Sequence, residues 1–189
     1  MTKTALIVVD VQRDFCEGGA LAAKDTLSLL QPLHEFIEAA RRARVVIVFT
    51  KDWHPADHSS FHTAGGPWPV HCVAGTPGAE LMPPLNAQAN EIVTHKGEQV
   101  SGAGYSGFDL TRLEHRLQKL QVQSVAVSGI ATEYCVRATA LDALKHGFQV
   151  TVLRDLIRAV QPSETAKVLE ELGKAGAKTS TAAEWLNAL

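Results

Sequence analysis

Short apolar, β-branched runs recur along the chain at residues 5–9, 45–49, 91–94, 124–127 and 150–153, and each gives way to polar residues or glycine. Runs of this length, bounded by turn residues, predict buried strands. Between them the apolar positions take helical spacing: Leu30, Leu33, Ile37 and Ala40 share one face, as do Leu110, Leu113, Leu117 and Leu120, and later Val136, Ala140 and Leu144. Residues 163–172 repeat the helical pattern, and residues 178–181 predict an edge strand ahead of a short terminal helix. Strand alternating with helix predicts βαβ crossovers, hence an α/β fold in three αβα layers around a mainly parallel sheet. Ligands of such folds bind beyond the carboxyl ends of the strands, so chemistry is expected just after each run.

One stretch breaks the pattern. Residues 53–84 carry Pro55, Pro67, Pro69, Pro77, Pro83 and Pro84 with several glycines and no sustained period. A loop of this length inside a compact domain is usually functional.

A chain of 189 residues suits a single core, burying roughly 70% of the surface its unfolded form exposes, so one domain is expected over residues 1–189. A net charge of -2, with 46% hydrophobic and 20% charged residues, argues against a nucleic-acid partner. Arg41, Arg42 and Arg44 read as the solvated end of a helix. No apolar stretch approaches the ~20 residues of a membrane span, and the run at 5–9 is too short for a signal-peptide core, so no membrane association and a cytoplasmic location are expected. Cys16, Cys72 and Cys135 are odd in number and widely spaced, which argues against a disulfide framework.

The predicted strand ends supply a set of reactive groups: Asp10, Asp52, Lys96 and the stretch Gly129-Ile130-Ala131-Thr132-Glu133-Tyr134-Cys135. Cys135 falls where a strand hands over to a helix, with Thr132 as the expected N-cap. The helix terminus acts like roughly +0.5 charge and, with Lys96, would favour the thiolate. The same turn can present backbone N–H groups to a developing oxyanion. Asp10 can take the thiol proton and return it to a leaving amine. Taken singly, each is an ordinary residue; their placement on one predicted edge is what points to nucleophilic catalysis.

A second group gathers in the proline-rich loop. Asp52 and His54 stand one residue apart, so an extended backbone turns both side chains to one face, and His71 can return from the loop to join them. Two imidazoles and a carboxylate suit zinc, iron or manganese with positions left for water or substrate. His58 and His62 lack such spacing. Gly102-Ala103-Gly104-Tyr105-Ser106-Gly107 matches the dinucleotide-binding glycine pattern, yet it does not open directly from a strand and no ribose-binding acid follows at the required distance. Neither NAD nor flavin is therefore expected, and the glycines read as a loop bordering a pocket.

Ile7-Val8-Val9-Asp10-Val11-Gln12 with Asp14-Phe15-Cys16-Glu17-Gly18-Gly19 resembles the opening of the nicotinamidases, also called pyrazinamidases, of the isochorismatase-like hydrolase superfamily. Lys51-Asp52-Trp53-His54-Pro55 with Trp68-Pro69-Val70-His71-Cys72 resembles that family's metal loop, here at about 52–84; His95-Lys96-Gly97 resembles its lysine strand, and residues 129–136 its nucleophile turn. The resemblance implies about six strands, Cys135 as nucleophile, Asp10 as base and acid, and Lys96 as supporting cation. It also implies one divalent metal on Asp52, His54 and His71, zinc ahead of iron or manganese. Nicotinamide is the implied small-molecule substrate, its ring flanked by Phe15 and Trp68 in a pocket closed by Leu21 and Tyr105. A cis Ile130–Ala131 peptide is implied, directing the Ala131 and Cys135 N–H groups to the oxyanion. His58 as a further ligand fits poorly, because the stretch from His54 is short, and a homo-oligomer is compatible with the resemblance. The rival readings are a sister amidohydrolase acting on another small amide or a carbamoyl or ureido compound, an idle binding module, and an oxidoreductase using the glycine loop.

Overall fold

The computed structural model describes residues 3–102 and 104–189, so Ala103 of the glycine motif lies outside the described residues. The elements run β1 (Lys3–Val9), α1 (Leu27–Arg42), β2 (Val46–Asp52), β3 (Ile92–Lys96), α2 (Leu113–Lys119), β4 (Val122–Ile130), α3 (Arg137–Lys145), β5 (Gln149–Arg158), α4 (Thr165–Lys174), β6 (Lys178–Ser180) and α5 (Ala182–Asn187). The six strands form one sheet in the order β3-β2-β1-β4-β5-β6, and every pairing is parallel.

β1 lies at the centre, which is why its apolar run is unbroken: a strand covered on both faces has no solvent side to make polar. Leu6 and Val8 pack with Leu29, Leu33 and Ile37 of α1 and with Trp185 of α5. Ala5, Ile7 and Val9 point the other way, into a cluster with Leu113 and Leu117 of α2, Ala140 of α3, and Val168 and Leu172 of α4. The strand order reverses between β1 and β4, and the crevice beyond their carboxyl ends is where ligands of open α/β sheets bind.

The helix expected from Leu110 onward starts later, at Leu113. Thr111 explains the shift. Its hydroxyl donates to Gly107 O at 2.8 Å and accepts from Leu113 N at 3.2 Å, holding the preceding residues in a turn. Leu110 is consequently 82% exposed and in the left-handed region, rather than on the buried helical face. The proline-rich loop is also more ordered than its sequence implies, with short 3-10 turns at His62–Ala64 and Pro77–Ala79 and parallel bridges from His54 to Val73 and from Phe61 to Trp68.

Leu33 has no solvent exposure and anchors α1 to the sheet. Leu33→Ala should destabilise the fold by about 2–5 kcal/mol, read as a lower urea midpoint at unchanged slope.

Candidate active site

Four strand ends converge at the switch point. β1 stops at Asp10, whose left-handed backbone (φ 47°) turns the chain out of the sheet. Its amide donates to Thr50 O at 3.2 Å, and its Oδ1 accepts from the Thr50 hydroxyl at 2.6 Å. Asp52 and Lys96 are register partners at the ends of β2 and β3. β4 lies tight against β1 at Gly129 (φ 112°), where any Cβ would strike the Val9 backbone. The chain then passes through a cis Ile130–Ala131 peptide, as expected, into a π-helical turn, Thr132–Val136, that carries Cys135 into α3.

The fully buried Lys96 ammonium sits among these ends. Nζ lies 2.8 Å from Asp10 Oδ2 and donates to Asp52 Oδ1, to Gly104 O at 2.9 Å and to Cys135 Sγ at 3.4 Å. Burial on its own would depress the ammonium, but Asp10 and Asp52 outweigh it and hold Lys96 well above its ordinary range. Burial also opposes the Asp52 carboxylate, yet Lys96 and His54 keep it below the usual carboxylate range. Asp10 moves the other way: desolvation, helped by the neighbouring Asp52 charge, raises it despite Lys96.

The thiol departs from its expected state. Desolvation pushes Cys135 well above a normal thiol, and Asp10 and Asp52 add to this against the pull of Lys96. The sequence placed Cys135 at a helix terminus that would favour the thiolate; buried beside two carboxylates, it keeps its proton. Thr132 is not the expected cap either. Ala131 occupies the N-cap position without a side-chain bond, and the Thr132 hydroxyl is buried with no hydrogen-bond partner among the described residues.

Asp52, His54 and His71, all buried, each bring a ligand atom within 4.8 Å of the others. The alternation read from Asp52 and His54 holds. Trp53 between them turns outward and stacks on His95 at 4.3 Å, while His54 Nε2 comes within 3.4 Å of Asp52 Oδ2. His71 returns because the loop pairs with His54: His54 N donates to Cys72 O at 3.0 Å, and Ala74 N to His54 O at 2.8 Å. His54 Nδ1 donates to Gly97 O at 2.9 Å and His71 Nδ1 to Pro69 O at 2.7 Å, which leaves Nε2 of each as the ring nitrogen that could meet a metal. Burial keeps His71 below its ordinary pKa and so neutral. Two imidazoles oriented by carbonyl acceptors, with His71 neutral, and one ionised carboxylate fit a divalent metal ion. His58 falls outside this group, although its buried Nε2 has no hydrogen-bond partner among the described residues and its ring lies 4.2 Å from that of His54. His62 is exposed and bonds Pro67 O.

Thiol and metal-ligand group open on one cavity of about 290 Å³, near the lower end of the ~300–1,000 Å³ of small-molecule sites. Phe15, Leu21, Trp68, Tyr105 and Ala131 all line it, together with Cys135, Asp52, His54 and His71. Asp10 and Lys96 do not line it. Trp68 Nε1 donates to the Tyr105 hydroxyl at 3.2 Å, and Tyr134 packs edge-on against Trp68 at 5.2 Å. Tyr134 and Val160 are wall residues that the sequence reading did not use. Proximity to Cys135 was a signal for Tyr134; Val160, beyond β5, offered none. The carbonyls of Gly97 and Gly104 were equally hidden, since a backbone acceptor has no side chain to mark it.

Fold and site together define a class: αβα proteins that carry a buried cysteine, aspartate and lysine at the carboxyl edge of a parallel sheet. Residues 4–184 match the Isochorismatase domain model, and the chain belongs to that family. It is 42% identical over 174 residues to the nicotinamidase/pyrazinamidase of Mycobacterium tuberculosis, covering 89% of this chain and 93% of that one. To the nicotinamidase of Escherichia coli it is 36% identical over 208 residues, covering 98% of each. The crystal structure of Pyrococcus horikoshii pyrazinamidase in complex with zinc superposes with a TM-score of 0.91 at 44% identity, covering 95% of this chain and 99% of that one.

Because burial raises Cys135, and raises the other two cysteines as well, the metal-free protein should show no thiolate absorbance at neutral pH. The signal lost in Cys135→Ala should emerge only above the ~8.5 of a free thiol in an ultraviolet pH titration. A Cys135-dependent thiolate at pH 7 would contradict the electrostatics described.

Proposed function

We propose that this protein hydrolyses the carboxamide of nicotinamide, and of pyrazinamide, releasing ammonia and the aromatic carboxylate through a thioester on Cys135. The observation that carries this reading is the Cys135 thiol, 3.4 Å from Lys96 Nζ, facing an aromatic cavity that also holds the Asp52, His54 and His71 group. The names of the relatives support the same substrate.

In this reading Phe15 and Trp68 flank the aromatic ring, Leu21 and Tyr105 close the pocket, and the carboxamide carbon faces Sγ. Because the resting thiol is protonated, its proton passes to Asp10 as sulfur attacks. The raised pKa of Asp10 makes it a better base than an ordinary carboxylate. The Ala131 and Cys135 N–H groups receive the oxyanion. Asp10 then protonates the departing nitrogen, and ammonia leaves as the C–N bond breaks and the thioester forms. A water attacks the thioester with Asp10 again as base, and the Cys135 sulfur leaves and recovers its proton. Lys96 keeps its charge throughout and offsets the negative charge passing between Asp10 and sulfur. Asp52, His54 and His71 would hold a divalent ion, zinc in the first instance, which when bound supplies a Lewis acid for the ring nitrogen and for water.

Ammonia release from nicotinamide by zinc-loaded protein tests the assignment, with Cys135→Ala as control. The variant should lose about a thousandfold or more in kcat. Turnover that survives this substitution would remove the covalent route. Release from neither nicotinamide nor pyrazinamide by wild-type protein with bound metal would favour a sister amide substrate. Chelation should abolish turnover, and zinc should restore it; full activity without metal would remove the role given to Asp52, His54 and His71.

A further inference from the structure

The ligand-bearing residues are held from behind by a segment to which neither the mechanism nor the metal group gives a role. β1 turns away at Asp10, while β2 continues to Asp52, so the Asp52 N–H and C=O facing β1 have lost their strand partner. The fully buried Gln12 replaces it. Its Oε1 accepts from Asp52 N at 2.8 Å, and its Nε2 donates to Asp52 O at 2.8 Å and to Ala79 O at 2.8 Å. A primary carboxamide offers a donor and an acceptor on one planar group and so imitates the missing peptide unit; an ionised carboxylate offers acceptors only.

Two residues on, Asp14 does the equivalent for the returning loop. Its Oδ2 accepts from Cys72 N at 2.7 Å, next to His71, where Cys72 occupies the left-handed region (φ 45°). Gly78 allows the close approach, since a Cβ there would overlap the Asp14 carboxylate. The residue after Asp14, Phe15, sets its ring 5.5 Å from that of His71. The segment is itself fixed: Arg13 N donates to Glu80 O at 2.9 Å, and Met82 N to Val11 O at 2.9 Å.

We propose that Gln12 and Asp14 are the positioning residues of the metal-ligand group, Gln12 by clamping the backbone of Asp52 and Asp14 by setting the turn that delivers His71. The need is greatest at Asp52. Its carboxylate is divided between Lys96 on Oδ1 and the imidazole side on Oδ2, and the backbone must be held for both to be reached. This inference rests on the reading that Asp52, His54 and His71 bind a divalent ion.

The test is the affinity of metal-free protein for Zn2+, measured by competition with a chromophoric chelator, together with the visible spectrum of the Co2+-substituted protein. Gln12→Glu, Gln12→Met, Asp14→Ala and Asp14→Asn are compared, with His71→Ala as the control for the ligand group. Gln12→Glu and Asp14→Ala should bind Zn2+ about 10–100-fold more weakly and shift the Co2+ bands. Asp14→Asn, whose amide oxygen still accepts from Cys72 N, should recover most of the loss. Near wild-type affinity and spectra in folded Gln12→Glu and Asp14→Ala would overturn the proposal, as would equal impairment in Asp14→Asn and Asp14→Ala. Should Gln12→Glu not fold, Gln12→Met and the Asp14 pair decide by the same criteria. Wild-type binding that His71→Ala leaves intact would instead overturn the metal reading, and this inference with it.

Discussion

A buried ammonium has to be surrounded by acceptors, and the way this chain surrounds Lys96 fixes much of the rest of the site. Removing a charge from water costs several kcal/mol even after relaxation, so a lone lysine here would lose its proton or pull in solvent. Asp10, Asp52 and Gly104 O meet the ammonium instead, and the Cys135 sulfur fills the remaining side. These groups come from the ends of β1 and β2, the glycine loop and the turn after β4. One cation therefore ties together elements far apart in sequence, and the turn at Asp10 and the tight packing at Gly129 serve that convergence.

Asp52 joins this cluster to the metal-ligand group. One carboxylate oxygen belongs to Lys96 and the other faces His54, so Lys96 and Asp52 together link the thiol to the candidate metal position. Both open on the same cavity, lined by Phe15, Trp68 and Tyr105. The same closeness makes the thiol weakly acidic. Two carboxylates beside it oppose a further negative charge on sulfur.

Much of the fold was legible because a parallel sheet covered on both faces writes itself as short apolar runs between helical repeats. Residues such as Ile7, Leu33 and Val127 are fully buried. The failures were local. Leu110 kept helical spacing but was diverted by the Thr111 hydroxyl, and residues 53–84 looked structureless because their order comes from irregular backbone bonds, within the loop and to other segments, that leave no periodic pattern. Likewise Asp52 and His54 were readable from their spacing, whereas the means of holding them, through Gln12, Asp14 and Gly97 O, was not.

The sequence by itself determined the layer architecture, the strand ends that carry Asp10, Asp52, Lys96 and Cys135, and the identity of the imidazoles, because period and residue type are local properties. Tertiary structure alone decided the ionisation of those groups and the company they keep. The thiol is raised rather than lowered, Thr132 caps nothing, and Tyr134 and Val160 join the pocket wall. Each of these depends on desolvation and on charges contributed by distant segments, quantities that exist only once the chain has closed around Lys96.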